Sequence, residues 1–154
     1  MEYGQAPLLD RLIDEDPASS GESVQQRLMN ARQIKALVAR DLENLLNSRR
    51  EITSVPAVFS ELRHSVATYG LKDFTALSTE NRKVRVSIQK DVEEAIARFE
   101  PRLQHVKVAL ETGDRRERKL SFQISAVLVV DPIREPVAFD TYFDAMRKEY
   151  VVSD

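Results

Sequence analysis

The side chains that could do acid–base, nucleophilic or metal chemistry are scattered through these 154 residues, and only one short constellation is compact enough to act as a unit. His64 and His105 are the two histidines and fall on different expected elements, so no metal-ligand set gathers around either; each reads as a polar surface or edge residue. There is no cysteine, which removes thiolate ligands, thiol nucleophiles and disulfides together and fits a reducing compartment. No serine stands in a nucleophile-elbow pattern, and 4 glycines leave no glycine-rich phosphate cradle. Glycoside hydrolysis asks for less, because two carboxylates at a fixed separation suffice. Glu61, Asp73 and Glu100 could supply such a pair. A chain with 25 acidic residues always offers pairs, however, and without tryptophan it has few rings on which a sugar face could stack. The expectation is a non-enzymatic protein with no metal and no cofactor.

The compact constellation is Glu100-Pro101-Arg102. Proline fixes the backbone at a corner, with a carboxylate on one side and a planar guanidinium on the other, both suited to bidentate contacts. Two readings are open at this point. The charges pair locally or satisfy the helix end, or they reach groups on another subunit.

The elements that must hold this corner follow from periodicity. From Glu22 to about Ser48, Val24, Leu28, Ala31, Ile34, Val38, Leu42 and Leu45 recur in steps of three and four, predicting one long amphipathic helix. Ser54 as cap, Pro56 in the first turn, Val58, Leu62, Val66 and Tyr69 on one face, and Gly70 as terminator predict a second. Ser78 or Thr79 would cap a third, with Val84, Ile88, Val92, Ile96 and Phe99 as its stripe and Pro101 as its stop.

After Pro101 the period changes from 3.6 to 2. Val106, Val108 and Leu110 alternate with His105, Lys107 and Ala109, then Leu120, Phe122, Ile124, Ala126, Leu128 and Val130 alternate along a longer run, with the loop between them carrying Gly113-Asp114. Val137, Phe139, Thr141 and Phe143 predict a third strand, and Tyr150-Val151-Val152 a terminal strand or arm. Helices first and strands later give an α+β fold, with N-terminal helices packed on one face of a small antiparallel sheet formed by the C-terminal half. Residues 1–21 read as a flexible N-terminal arm and 22–154 as a single domain. Within the arm, Leu8, Leu9, Leu12 and Ile13 either fold back on the core or dock on another subunit.

Composition narrows the partners. A formal net charge of -2 gives no drive toward phosphate backbones, so nucleic acid is not expected. No apolar run approaches the ~20 residues of a membrane span, and Met1–Asp10 lacks a basic stretch followed by an apolar one, so a soluble, cytoplasmic protein is expected.

Several segments together resemble the TssE family of type VI secretion baseplates, related to the gene 25 wedge protein of contractile phage tails. They are Leu8-Leu9-Asp10-Arg11-Leu12, Leu45-Leu46-Asn47-Ser48-Arg49, Tyr69-Gly70-Leu71-Lys72-Asp73-Phe74, Phe99-Glu100-Pro101-Arg102-Leu103 and Val129-Val130-Asp131-Pro132. Ser48 stands where the family resemblance leads one to expect threonine, and Lys72 where proline is frequent. The resemblance implies a structural wedge subunit assembled with TssF, TssG and TssK around the VgrG spike, beneath a contractile TssB–TssC sheath that surrounds an Hcp tube. Its place would be the cytoplasm, docked at the inner-membrane face through the secretion complex. It implies that Glu100, Pro101 and Arg102 contact the helical bundle of the other wedge subunits. It also makes the strands around 120–130 and 137–143 sheath-facing candidates, with Leu120, Phe122, Ile124, Val137 and Phe139 as contact residues. Arg102→Ala would then weaken association with TssF and TssG and leave a folded monomer. The family's "lysozyme-like" label implies one alternative, a peptidoglycan-cleaving hydrolase.

Overall fold

The change of period at Pro101 divides the chain into a helical half and a strand half. The computed structural model describes residues 3–5, 7–12, 28–51, 54–56, 58–74, 81–112, 120–144, 146–147 and 149–153. In chain order these form β1 (Tyr3–Gln5), α1 (Leu8–Leu12), β2 (Leu28–Asn30), α2 (Ala31–Asn47), α3 (Arg82–Phe99), β3 (Leu103–Thr112), β4 (Leu120–Val130), β5 (Ile133–Asp144) and β6 (Glu149–Ser153). The fold is α+β, as expected. Residues 13–27, the Ser78 and Thr79 positions and the Gly113-Asp114 loop lie outside the described residues.

The long helix starts later than its apolar pattern predicts, at Ala31. Asn30 stops it from extending backward: its side-chain oxygen accepts from the Gln33 N–H at 2.9 Å, while the Gln33 side-chain oxygen accepts from the Asn30 N–H at 3.0 Å. Such a reciprocal box satisfies two helix-end donors. Leu28 is then free to enter β2, which pairs antiparallel with β1. Ile34, Val38, Leu42, Leu45 and Leu46 form the buried side of α2. The third helix is capped by Asn81, whose side chain accepts from the Lys83 N–H at 2.9 Å, and buries Ile88, Val92, Ala95 and Ile96.

Among the described residues the second expected helix is not formed. Its residues form two short 3-10 turns, Ser60–His64 and Val66–Thr68. A helix of this length draws its stability from a packed apolar face, and here Val58 and Val66 are 86% and 89% exposed. Hydroxyls compete for the local carbonyls as well: Ser65 donates to the Leu62 carbonyl at 2.8 Å, and the buried Thr68 hydroxyl lies 2.9 Å from that of Arg63.

Gly70 serves a different purpose from ending a helix. It adopts φ 99, and a Cβ there would lie 2.4 Å from the Ser48 carbonyl oxygen. That close approach lets the Leu71 N–H donate to Ser48 at 2.9 Å and the Arg50 N–H donate to Leu71 at 2.8 Å.

The sheet is an antiparallel meander, β3-β4-β5-β6. Phe122, Ile124, Ala126 and Leu128 of β4 and Ile133, Val137 and Phe139 of β5 face α2 and α3 and complete one core. A bulge refines the alternation in β3. Pairing passes from Gln104↔Val127 to Lys107↔Ser125, which inserts one residue, with His105 at φ 55. Leu103 and Val108, an odd number of positions apart, therefore both reach the core.

Part of the N-terminal arm packs on the domain itself, through Gly4 and Asp10. Gly4 is buried where an added Cβ would lie 2.9 Å from Ile34 Cδ1 and 3.0 Å from Val130 Cγ1, and Asp10 binds Arg40 at 2.8 Å. Leu8 and Leu12 are exposed. No helix among the described residues is long and apolar enough to cross a membrane.

Candidate functional site

Pro101 ends α3 one residue after Glu100, whose N–H still donates to the Ile96 carbonyl at 2.8 Å although its own backbone has left the helix, at φ -122 and ψ 77. This exit turns the Glu100 carboxylate inward, leaving the residue 4% exposed. Arg102, the first side chain past the corner, returns to meet it as a two-pronged fork: Nε donates to Oε1 at 2.6 Å, and Nη2 donates to Oε2. Nη2 also donates to Asp41 Oδ2 on α2. Asp41 accepts in turn from Arg40 at 3.0 Å, and Arg40 reaches Asp10 of α1. Alternating charges thus run from the α3–β3 corner across α2 to the arm.

This row orders charge around one cation. Burial alone would lower the Arg102 pKa, but the hydrogen bonds and charges of Glu100 and then Asp41 outweigh it and raise the value. Tyr69 stands against Phe99 with ring centroids 5.2 Å apart, and its phenol is pushed above its usual pKa by burial first, then by the charges of Asp41 and Glu100. Arg102 Nη1 is buried with no hydrogen-bond partner among the described residues. Pro101 is exposed at the tip of the corner. A braced corner with an exposed proline at its tip is suited to recognition, because its geometry is fixed before any partner arrives.

The three carboxylates weighed for hydrolysis stand on separate segments of the chain. Glu61 lies exposed on a 3-10 turn, Asp73 pairs with Arg49 at 3.2 Å, and both oxygens of Glu100 are held by Arg102. His64 and His105 are both exposed and on separate elements, and no group of three or more potential ligands that could hold a metal occurs among the described residues.

The strand candidates need correction. Phe122, Ile124, Val137 and Phe139 are core residues beneath the sheet, not outward contacts. One face of this sheet is covered by helices, so the apolar phase of the alternation is the inward phase. The outward phase carries Gln123, Ser125, Ala138, Asp140 and Tyr142, with Gln123 donating to Asp140 at 2.8 Å across the strands. Leu120 opens β4 opposite Thr112.

A second buried ion pair was not anticipated. Arg50 Nη2 donates to Asp91 Oδ1 at 2.6 Å, and the Lys72 N–H donates to Oδ2 at 3.0 Å, with the Arg50 and Asp91 side chains only 6% and 2% exposed. The signal was present in the helix pattern: Asp91 falls on the inward stripe between Ile88 and Ala95, where an acid must have a partner. Arg50–Asp91 and Arg102–Glu100 fasten α3 at its middle and its exit.

The segments holding both pairs lie within residues 32–133, which match the family model described as baseplate wedge protein gp25. The chain belongs to this family. The match to the wedge family spans most of α2, all of α3 and the sheet as far as the start of β5; β1, α1 and β6 lie outside it. Family membership makes the chain a structural baseplate protein of phage-tail type. No curated protein matches it.

Proposed function

We propose that this chain is the wedge subunit of a type VI secretion baseplate, joining TssF, TssG and TssK to the contractile TssB–TssC sheath on the cytoplasmic side of the inner membrane. The wedge-family match over residues 32–133 carries the structural role. The corner Glu100-Pro101-Arg102 supports the anchoring part, because Pro101 is exposed at its tip and the Glu100–Arg102 pair holds the corner in one geometry. Sheath contact is assigned to the outward side chains of β4 and β5, since the inward set is occupied by the core.

Arg102→Ala alone is an ambiguous test, because it strands the buried Glu100 carboxylate and destabilises the subunit whatever the corner binds. Replacing Glu100 and Arg102 together by alanine removes both charges at once. Co-purification of that double variant with TssF and TssG is expected to fall at least about tenfold, while its circular dichroism spectrum stays that of the parent. Undiminished recovery of a folded double variant would show that the corner is not the anchor.

A further inference from the structure

We propose that the outer edge of β6 is shut by α2, and that Asn47 and Glu43 are edge guards keeping the strand from pairing with a second copy of the chain. β6 is the last strand of the sheet, and its ladder to β5 places Val151 opposite Tyr142 and Val152 opposite Thr141. Alternate residues of an edge strand direct their backbone groups away from the sheet, as an open template for another strand. In β6 those residues are Tyr150 and Val152, and α2 meets both. Asn47 Oδ1 accepts from the Tyr150 N–H at 2.7 Å while Asn47 Nδ2 donates to the Tyr150 carbonyl at 2.8 Å. Glu43 Oε2 accepts from the Val152 N–H at 3.1 Å.

The match follows from commensurate spacing. Four residues of helix rise about 6 Å, and two residues of strand rise about 6.6 Å. A helix lying antiparallel beside the edge can therefore present its i and i+4 side chains to alternate strand residues. The Asn47 amide offers the same acceptor and donor as a peptide unit, so it occupies the place of a neighbouring strand's backbone. The opposite edge carries the same device in shorter form: Glu93 Oε1 of α3 accepts from the Val108 N–H of β3 at 2.9 Å, next to the bulge. Glu43, Asn47 and Glu93 are polar positions of amphipathic helices that solvent could have taken, yet each is bound to edge backbone.

The partner excluded at β6 is another β6. Its short length and its alternation of inward Tyr150 and Val152 with outward residues allow antiparallel self-pairing once the guards are gone. This inference stands independently of the wedge assignment. The test is Glu43→Ala with Asn47→Ala in the full chain, followed by light scattering at up to about 1 mM chain and by amide hydrogen exchange. The expected result is association one step beyond that of the parent chain, with Tyr150 and Val152 amides exchanging about tenfold faster at low concentration. Adding Val152→Pro removes the outward-pointing donor together with the valine's packing on the core, and is expected to abolish the association in a triple variant that keeps the parent's circular dichroism spectrum. Glu43→Gln keeps an acceptor and is expected to behave as the parent. If the double variant does not fold, Asn47→Ala alone is read the same way. A folded guard variant with the parent's association state across this range overturns the proposal.

Discussion

Among the described residues two acids, Asp91 and Glu100, are buried deeply enough that each depends on its guanidinium. Asp91 is the cleaner case, since Arg50 is itself almost fully enclosed and neither residue lies at the proposed partner surface. An ion pair of this kind adds little over an apolar pair of similar size, but removing one member leaves an uncompensated charge and costs about 3–5 kcal/mol. Arg50→Ala is therefore expected to lower stability by roughly 3 kcal/mol, at the lower end of that range because Lys72 Nζ stands 3.5 Å from Asp91 and can move closer. Urea denaturation reads this as a lower midpoint at unchanged slope. Replacing both Arg50 and Asp91 by leucine should restore most of the loss. A single variant within about 0.5 kcal/mol of the parent would mean that water reaches Asp91 and that the pair does not fasten α3.

Among the elements, the crossover between Ser48–Arg50 and Gly70–Lys72 replaces the helix that periodicity predicts. It depends on Gly70, where a side chain would meet both an unfavourable φ and the Ser48 carbonyl. The backbone term alone costs about 1–2 kcal/mol for a non-glycine residue, and the collision adds to it. Gly70→Ala is expected to lower the melting temperature by at least about 4 °C in a chain of this size; an unchanged melting curve would show that the crossover relaxes freely. This segment also marks where the sequence stops being legible. The stripes of α2 and α3 and the alternation of β4 and β5 could be read because each has one face buried by the other layer. Val58, Leu62 and Val66 have the same spacing, but periodicity records only that a helix would be amphipathic, not whether a surface exists to receive it. For the same reason Phe122 and Phe139 were legible as strand residues while the side they face was not. The Glu100–Arg102 pair was legible as chemistry, but its connection to Asp41 joins residues 61 positions apart and could not be read from the local sequence.

At the scale of the whole molecule, the arm closes the row of charges that begins at the corner. β1 lies beside β2 at the start of α2, and Gly4 approaches Val130 and Ile133, which flank the β4–β5 turn. The arm therefore bridges the helical layer and one end of the sheet, while the main core is built from α2, α3 and β3 through β5. It follows that undocking the arm should be local. Gly4→Leu places a side chain where Ile34 Cδ1 already lies at 2.9 Å from the Cβ position, which is expected to displace β1, whereas Asp10 and Arg40 remain chemically intact. The expected cost is about 1–2 kcal/mol, set by the loss of a short strand pair and partial exposure of Ile34. Hydrogen exchange should quicken at Tyr3–Gln5 and Leu28–Asn30 while the centres of α2 and β4 keep their protection. Exchange rising equally through β4 would mean instead that the arm is integral to the sheet, and that the corner, α2 and the arm open as one unit.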